Sequence, residues 1–339
     1  MREDIDFVIT WVDSNDTNWI DQKKLYSGKD TDSGNSRYRD WELLKYWFRG
    51  VEEFAPWVRK IHFVTWGHLP KWLDTNHPKI NIVQHQDFIP DHYLPTFSSR
   101  SIDLNLHRIE GLAEKFVYFN DDMFILNKVK KKDFFKNGLP CETAILNVTT
   151  PIKPKEVEGF SKSFTAPFFN MMLINSHFSK NKSIRKNFLK WINIKYGIKG
   201  LRTLLLLPWN KFPSLMNFHL PYSYLKSTYE EVWYKEPHIL SKACENKFRK
   251  YTDVNHWVMN YWQIASGNFS SRSTRIGEYY ILKPSDILNN NIYKSISKQK
   301  YKLICINDSN EIQDGALIKQ KLQESFQNIL PNKCLYEVN

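Results

Sequence analysis

The sequence predicts an α/β protein: a Rossmann-like or GT-A-like open sheet core with a helical insertion or lid. Three observations lead there. Short β-branched and aromatic runs alternate with segments of helical period up to about residue 150, strand signals then weaken, and a strand-then-helix pattern returns from Leu303. Such alternation is most simply a three-layer, doubly wound sheet. We divide the chain into residues 1–150, the first part of the core; 151–215, a helical insertion carrying the acceptor region; and 216–339, a return to the core with a strand-helix tail.

Asp6 to Val12 (DFVITWV) reads as a buried strand delivering Asp13 to its C-terminal edge, where open α/β sheets bind ligands. Ser27 to Ser36 (SGKDTDSGNS) is polar and glycine-containing, a loop able to close over a substrate. Trp41, Leu44, Phe48, Val51 and Phe54 recur at helical spacing, with Asp40 as N-cap and Pro56 as the stop. Strands follow at Lys60–Thr65, Ile80–Val83 and Phe116–Phe119. Helices are expected over Phe178–Tyr196, Tyr229–Phe248 and Val254–Ala265, then a strand at Leu303–Ile306 and a helix over Ile318–Leu330.

The 339 residues are 42% hydrophobic, enough for a sizeable core. A net charge of +12 favours anionic partners: nucleic acid, acidic lipid headgroups, nucleotide-sugars or phosphorylated glycans. The basic runs Lys128–Lys132, Lys180–Lys190 and Lys294–Lys302 are either solvated helix faces or surfaces for membrane or polymer. The 15% aromatic content serves the core or stacks on bases and sugars. Cys141, Cys244, Cys305 and Cys334 lack zinc or redox spacing and read as reduced structural thiols. No apolar leader follows Met1, and Leu201–Leu207 is too short to span a bilayer. The expectation is a cytoplasmic protein, with peripheral contact at the inner face of the cell membrane left open, as is the oligomeric state. No glycine-rich phosphate loop or nucleophile elbow is present, which disfavours P-loop proteins, kinases and serine hydrolases.

Val117 to Phe124 (VYFNDDMF) ends a strand in Asn120, Asp121 and Asp122. Adjacent carboxylates there can hold a divalent cation against diphosphate oxygens, or act as a base; an Asx-type turn explains them equally. Asp13 and Asp16 carry the same ambiguity between cap and ligand. Arg37, Arg39 and Asp40 offer phosphate forks or a surface ion pair. His107, beside Arg108, fits a packed core histidine as well as a catalytic one. His219 precedes Leu-Pro-Tyr, a rigid turn that favours a positioned imidazole; His256 lies in NHWVMNYW.

Together these stretches resemble the four blocks of the Stealth family: IDFVITWVDSND (Ile5–Asp16), then Arg37–Thr65 with His85–Ile125, then NFHLPYSYLK (Asn217–Lys226) and NHWVMNYWQIASGNF (Asn255–Phe269), with ICINDSN (Ile304–Asn310) as the ending. The resemblance implies transfer of a sugar 1-phosphate from a nucleotide-sugar, a UDP-N-acetylhexosamine or UDP-hexose, to a hydroxyl of a growing capsular or exopolysaccharide chain. It also implies catalytic roles for Asp121, His219 and Arg249, donor binding by Asp13, Arg39, Asn105, Arg108, Asn120 and Asn255, and Mg²⁺ or Mn²⁺ on Asp121 and Asp122. Residues 150–215 have no match, so acceptor recognition is expected there, with Trp191, Trp209 and Phe212 forming either a glycan surface or helical core. Two rivals remain: an ordinary glycosyltransferase and a non-catalytic basic polymer-binding protein. No nucleic-acid motif is present.

Overall fold

A computed structural model describes residues 4–27, 39–150 and 165–338. The strands are β1 (Ile5–Thr10), β2 (Ile61–Thr65), β3 (Ile80–Gln84), β4 (Lys115–Phe119), β5 (Met123–Ile125), β6 (Phe135–Lys136), β7 (Leu139–Glu142), β8 (Tyr222–Leu225), β9 (Ser270–Ser271), β10 (Gly277–Ile281) and β11 (Leu303–Asn307). The main sheet has the order β3-β2-β1-β4-β8, the first four strands parallel and β8 antiparallel to β4. Two three-stranded sheets, β10-β11-β5 and β6-β7-β9, accompany it. The predicted open α/β sheet is therefore present, in the parallel order of a Rossmann-like half with one antiparallel edge strand.

The sequence of β1, IDFVIT, lacks polar alternation because the strand is paired on both sides and covered on both faces. Phe7 meets Trp57 edge-on at 5.6 Å and lies 4.9 Å from Phe119, which Trp47 contacts edge-on at 5.4 Å. Trp47 belongs to the Leu44–Phe54 helix that links β1 to β2 and packs on β5. Gly50 permits this approach, since a Cβ there would lie 2.9 Å from the Ile125 carbonyl oxygen. At the N-terminal end of the sheet Asp6 accepts from Arg59 Nε (2.8 Å) and the Ala113 N–H (2.8 Å), and pairs with His62 (3.0 Å). Burial opposes the Asp6 charge, but His62 and Arg59 outweigh it and lower its pKa.

Several predicted helices are shorter than their apolar period suggests, each for a local reason. The helix expected from Asp40 begins at Leu44 with no side-chain cap; Asp40 accepts the Glu42 N–H (2.6 Å), and Glu42 at φ 54 breaks the helix path. Phe178–Tyr196 is interrupted at Asn187 and resolves into Lys180–Lys186, Phe188–Trp191 and a 3₁₀ stretch from Ile194 to Gly200. Tyr229–Phe248 is two helices, Lys226–Lys235 and Pro237–Cys244, because Pro237 cannot continue a helix but can start one. Val254–Ala265 begins only at Trp257. The tail matches, with β11 followed by a helix over Ala316–Ile329. The predicted Ser27–Ser36 loop and Arg37 lie largely outside the described residues. Trp191 and Phe212 are core, whereas Trp209 is exposed. The four cysteines are buried and free. Among the described residues no helix is long and apolar enough to cross a membrane.

His107 is a packed core histidine. Its ring lies 5.6 Å from Tyr229 and 6.0 Å from Trp233, with Nδ1 unpartnered. Burial, then Arg108 and Lys226, push its pKa down to about 3 from 6.5. The native state thus binds fewer protons than the unfolded chain below pH 6.5, and this histidine's contribution to stability is lost as pH falls from 6.5 toward 3. His107→Phe keeps an aromatic ring and removes the titration. Denaturant unfolding should show the variant losing about 1 to 3 kcal/mol less than the parent between roughly pH 6.5 and pH 4.5; equal losses would refute a neutral buried His107.

Candidate active site

The strand order reverses direction between β1 and β4, and ligands of open parallel sheets bind outside the carboxyl ends of strands at such a point. The chain leaves β1 toward Asp13 and leaves β4 through Asn120, Asp121 and Asp122. The second turn is fastened by backbone at both sides: the Asn120 carbonyl accepts the Met123 N–H (3.1 Å) and the Asp122 carbonyl accepts the Ile306 N–H (2.9 Å). It therefore joins the main sheet to the β10-β11-β5 sheet, and its side chains are free to face the space between them.

Asp121 reaches solvent at one side and is surrounded by protein elsewhere. Desolvation, then the Asp122 and Asp40 carboxylates, push its pKa up to about 7, against a downward pull from Arg249. Asp122 has one oxygen buried without a partner and its other 3.7 Å from His219 Nε2. His219 is held at φ 45, a conformation rare for residues with a side chain, because Asn217 Oδ1 accepts its N–H (2.7 Å) and also the Tyr222 hydroxyl (2.8 Å). Edge contacts to Tyr279 at 5.4 Å and Trp257 at 6.2 Å fix the ring. Arg249 donates to Ser99 Oγ at the start of the Ser99–Leu104 helix and lies within electrostatic reach of Asp121, Asp103 and His256. The Asp121–Asp122 pair, His219 and Arg249, from three distant parts of the sequence, thus share one neighbourhood.

A buried polar chain lies beneath them. Thr10 Oγ1 meets the Tyr118 hydroxyl (3.1 Å), which donates to Asp103 (2.7 Å); Asp103 lies 3.9 Å from His256, and His256 Nδ1 meets the Tyr224 hydroxyl (2.9 Å). Burial raises Asp103 to about 7, opposed by the Tyr118 hydrogen bond and by Arg249 and Arg100. Burial, with His219 and Arg249 nearby, keeps His256 neutral. On the other side of His219, Glu142, Arg272, Asn217 and Asn260 line a cavity of about 20 Å³, room for a water or two. Glu142 Oε1, Arg272 Nε, Asn217 Nδ2 and Asn260 Nδ2 there have no hydrogen-bond partner. Sequence reasoning missed Asp103, Glu142 and Arg272, which are solitary charged residues in apolar or polar runs and announce nothing by spacing.

The other predicted donor-binding residues are dispersed. Asp13 receives the Asn15 N–H on its carboxylate (2.9 Å), its own N–H donates to His68 Nε2 (2.7 Å), and its charge is felt by Asp40. Asp16 caps the Thr17–Tyr26 helix through the Trp19 N–H, the cap reading of the sequence. Arg39 donates to Asp308 (3.2 Å) and to the Ile312 carbonyl (2.5 Å), tying the chain before the Leu44–Phe54 helix to the segment after β11. Asn120 lies in the carboxylate turn itself. Asn255 is paired reciprocally with Asn170 (2.7 and 3.1 Å) and caps the entry to the Trp257–Ser266 helix. Asn105 and Arg108 bond each other (3.0 Å), Asn105 facing Cys244 and Arg108 stacking 4.9 Å from the Trp233 ring; these contacts do not join them to Asp121, Asp122, His219 or Arg249.

A divalent cation suits the carboxylates. Asp122, His219 and Cys305 offer atoms within 4.8 Å of one another, but burial and Asp122 raise the Cys305 pKa well above its usual value, and a protonated thiol is a poor ligand for a hard ion. Hard divalent ions prefer carboxylate oxygens, and positive charge here would relieve both the unpartnered Asp122 oxygen and the raised pKa of Asp121.

With carboxylates, an imidazole and a guanidinium gathered beyond its switch point, the chain is of the class of open-sheet α/β proteins whose candidate ligand site lies at the carboxyl ends of the strands. Residues 3–31 match the family description "Stealth protein CR1, conserved region 1", and residues 37–142 match "Stealth protein CR2, conserved region 2". The chain belongs to the Stealth family. The capsular polysaccharide phosphotransferase WcwK of Streptococcus pneumoniae is 43% identical over 99% of this chain and 98% of its own length. The receptor polysaccharide phosphotransferase WefC of Streptococcus gordonii is 38% identical over 100% of both chains, and the exopolysaccharide phosphotransferase cps2G of Lactiplantibacillus plantarum 36% identical over 98% of this chain and 96% of its own. Among solved structures, the galactosyltransferase LgtC aligns over 96% of each chain at 10% identity with a TM-score of 0.42, too distant a likeness to carry an inference.

The positive φ of His219 depends on Asn217. Asn217→Ala removes both bonds to its side-chain oxygen and should lower unfolding free energy by about 1 to 3 kcal/mol in urea denaturation. Tyr222→Phe removes only one and should cost less. A neutral Asn217→Ala would mean that the His219 conformation is held by other contacts.

Proposed function

We propose that the protein transfers a hexose 1-phosphate from a nucleotide-sugar, most simply a UDP-N-acetylhexosamine or UDP-hexose, to a hydroxyl of a growing capsular or exopolysaccharide chain. The acceptor oxygen forms a bond to the phosphorus nearest the hexose, the bond from that phosphorus to the oxygen bridging the two phosphates breaks, and nucleoside monophosphate leaves. The acceptor proton passes to a base, and the product is a phosphodiester.

What supports this reading is the shared neighbourhood of Asp121, Asp122, His219 and Arg249, together with full-length similarity to proteins named as polysaccharide phosphotransferases. In-line displacement at phosphorus needs alignment and charge neutralisation more than covalent help. Arg249 is the guanidinium for the diphosphate. His219, whose Nε2 lies 3.7 Å from Asp122, is the group to take the acceptor proton, and burial lowers the pKa of its neighbour His256 so far that it is a poor rival for that proton. Asp121 and Asp122 would hold Mg²⁺ or Mn²⁺, which supplies charge neutralisation at the diphosphate. Asp13 and Arg39 lie on the segments flanking the β1 edge and are the donor contacts this reading favours. Asn105, Arg108 and Asn255 act through packing.

The test uses donor carrying ¹⁸O between the anomeric carbon and phosphorus, incubated with the purified chain, a panel of acceptor oligosaccharides and Mg²⁺. Phosphorus NMR should find the label in a new phosphodiester, with nucleoside monophosphate released. Label in nucleoside diphosphate would establish glycosyl transfer instead, and polymer binding without donor turnover would make the protein a binding module. Arg249→Ala should lower kcat/KM by an amount equivalent to about 2 to 5 kcal/mol; full turnover would remove Arg249 from the chemistry.

A further inference from the structure

Between Phe188 and Trp209 the chain turns its large apolar side chains to water. Ile194 is 98% exposed, Ile198 82%, Leu205 79% and Leu189 78%, with Leu201 and Trp209 exposed beside them. Single exposed apolar residues are ordinary; a run of this density on one segment is not. The exposure is fixed by what the same segment buries. Trp191 stacks on Phe212 at 5.8 Å, the Tyr196 hydroxyl donates to the Lys190 carbonyl (2.6 Å), and the buried Thr203 Oγ1 accepts the Leu146 N–H (3.1 Å). These anchors hold one side of the short elements inward, and the Ile194–Gly200 and Leu201–Leu205 turns pack against each other, so the opposite side cannot fold into the core.

Charge identifies what covers this face. From Gly159 to Tyr229 the sequence contains no Asp or Glu, while Lys182, Lys186, Lys195, Lys199, Arg202 and Lys211 are exposed around the apolar residues. A second copy docking through the same face would oppose cation to cation. Nucleic acid would call for a row of stacking aromatics, and the most exposed side chains here are isoleucine and leucine. Apolar side chains inserted among lysines match a bilayer boundary rich in acidic headgroups.

We propose that the Phe188–Lys211 face is a membrane-docking surface that seats its isoleucines and leucines at the headgroup boundary of an anionic bilayer. Docking there would also place the lipid surface next to the strap that carries His219, because Lys199 lies 5.0 Å over the ring of Phe218. The inference rests on this face alone and is independent of the reaction proposed above.

Flotation of the full chain with vesicles tests it. The protein should rise with phosphatidylcholine vesicles containing about a third phosphatidylglycerol, and much less with pure phosphatidylcholine or at roughly half-molar salt. The Leu189→Ser, Ile194→Ser, Ile198→Ser and Leu205→Ser quadruple variant should bind at least about tenfold more weakly with an unchanged or higher melting temperature. A charge variant, Lys182→Glu with Lys186→Glu and Lys211→Glu, should lose the preference for phosphatidylglycerol. Flotation by the quadruple variant equal to the parent overturns the proposal. So does absence of flotation by the parent, including the case in which sedimentation velocity finds self-association that the quadruple variant abolishes.

Discussion

Repulsion among carboxylates at the end of β4 is the constraint on which the rest of the site depends. Asp121 and Asp122 are adjacent in the chain, and the Asp121 pKa is raised first by the protein around it and then by the Asp122 and Asp40 carboxylates. A turn of this kind persists only where the fold supplies compensation. Here the compensation is a backbone fastening at both ends, a guanidinium drawn in from Arg249, and an imidazole held against Asp122 by a strained strap. Each comes from a different part of the sequence, which is why the cleft requires almost the whole chain.

The sheet makes that convergence unavoidable. Because β4 is paired to β1 on one side and to β8 on the other, its end can move only with the main sheet, while Asp122 is bonded through its carbonyl to β11 of a second sheet. The strap bearing His219 leads directly into β8, and the Trp257–Ser266 helix, two helices further along, carries His256 at its start. The polar chain from Thr10 to Tyr224 links β1, β4 and β8 below the surface. Asp6, with Arg59 and His62, closes the opposite end of the same sheet. The two ends are thus divided: one settles its charges internally, and the other leaves an oxygen of Asp122 and one polar atom each of Glu142, Arg272, Asn217 and Asn260 without partners.

Much of this is legible in the sequence. The run DFVITWV, the NDD turn after an apolar strand, and His219 before Leu-Pro-Tyr all read correctly as a strand, a strand end and a rigid turn, because each is decided by neighbours within a few residues. The helix limits failed where a single residue outweighed the apolar period: Glu42 in a left-handed conformation, Asn187 between two short helices, and Pro237 starting a new one. Asp103, Glu142 and Arg272 were invisible because their importance lies in burial and in partners far along the chain. Residue type alone could not show that the Asn255 side chain is spent on Asn170 and the Trp257 N–H.

The most direct examination of the central claim is a crystal structure with Mn²⁺ and a non-transferable nucleotide-sugar analogue, read by anomalous scattering. The manganese peak should lie against the Asp121 and Asp122 carboxylates, with the diphosphate between that ion and Arg249 and with His219 facing the phosphorus nearest the sugar. A diphosphate lodged away from the β4 turn, with no ion at either carboxylate, would contradict it.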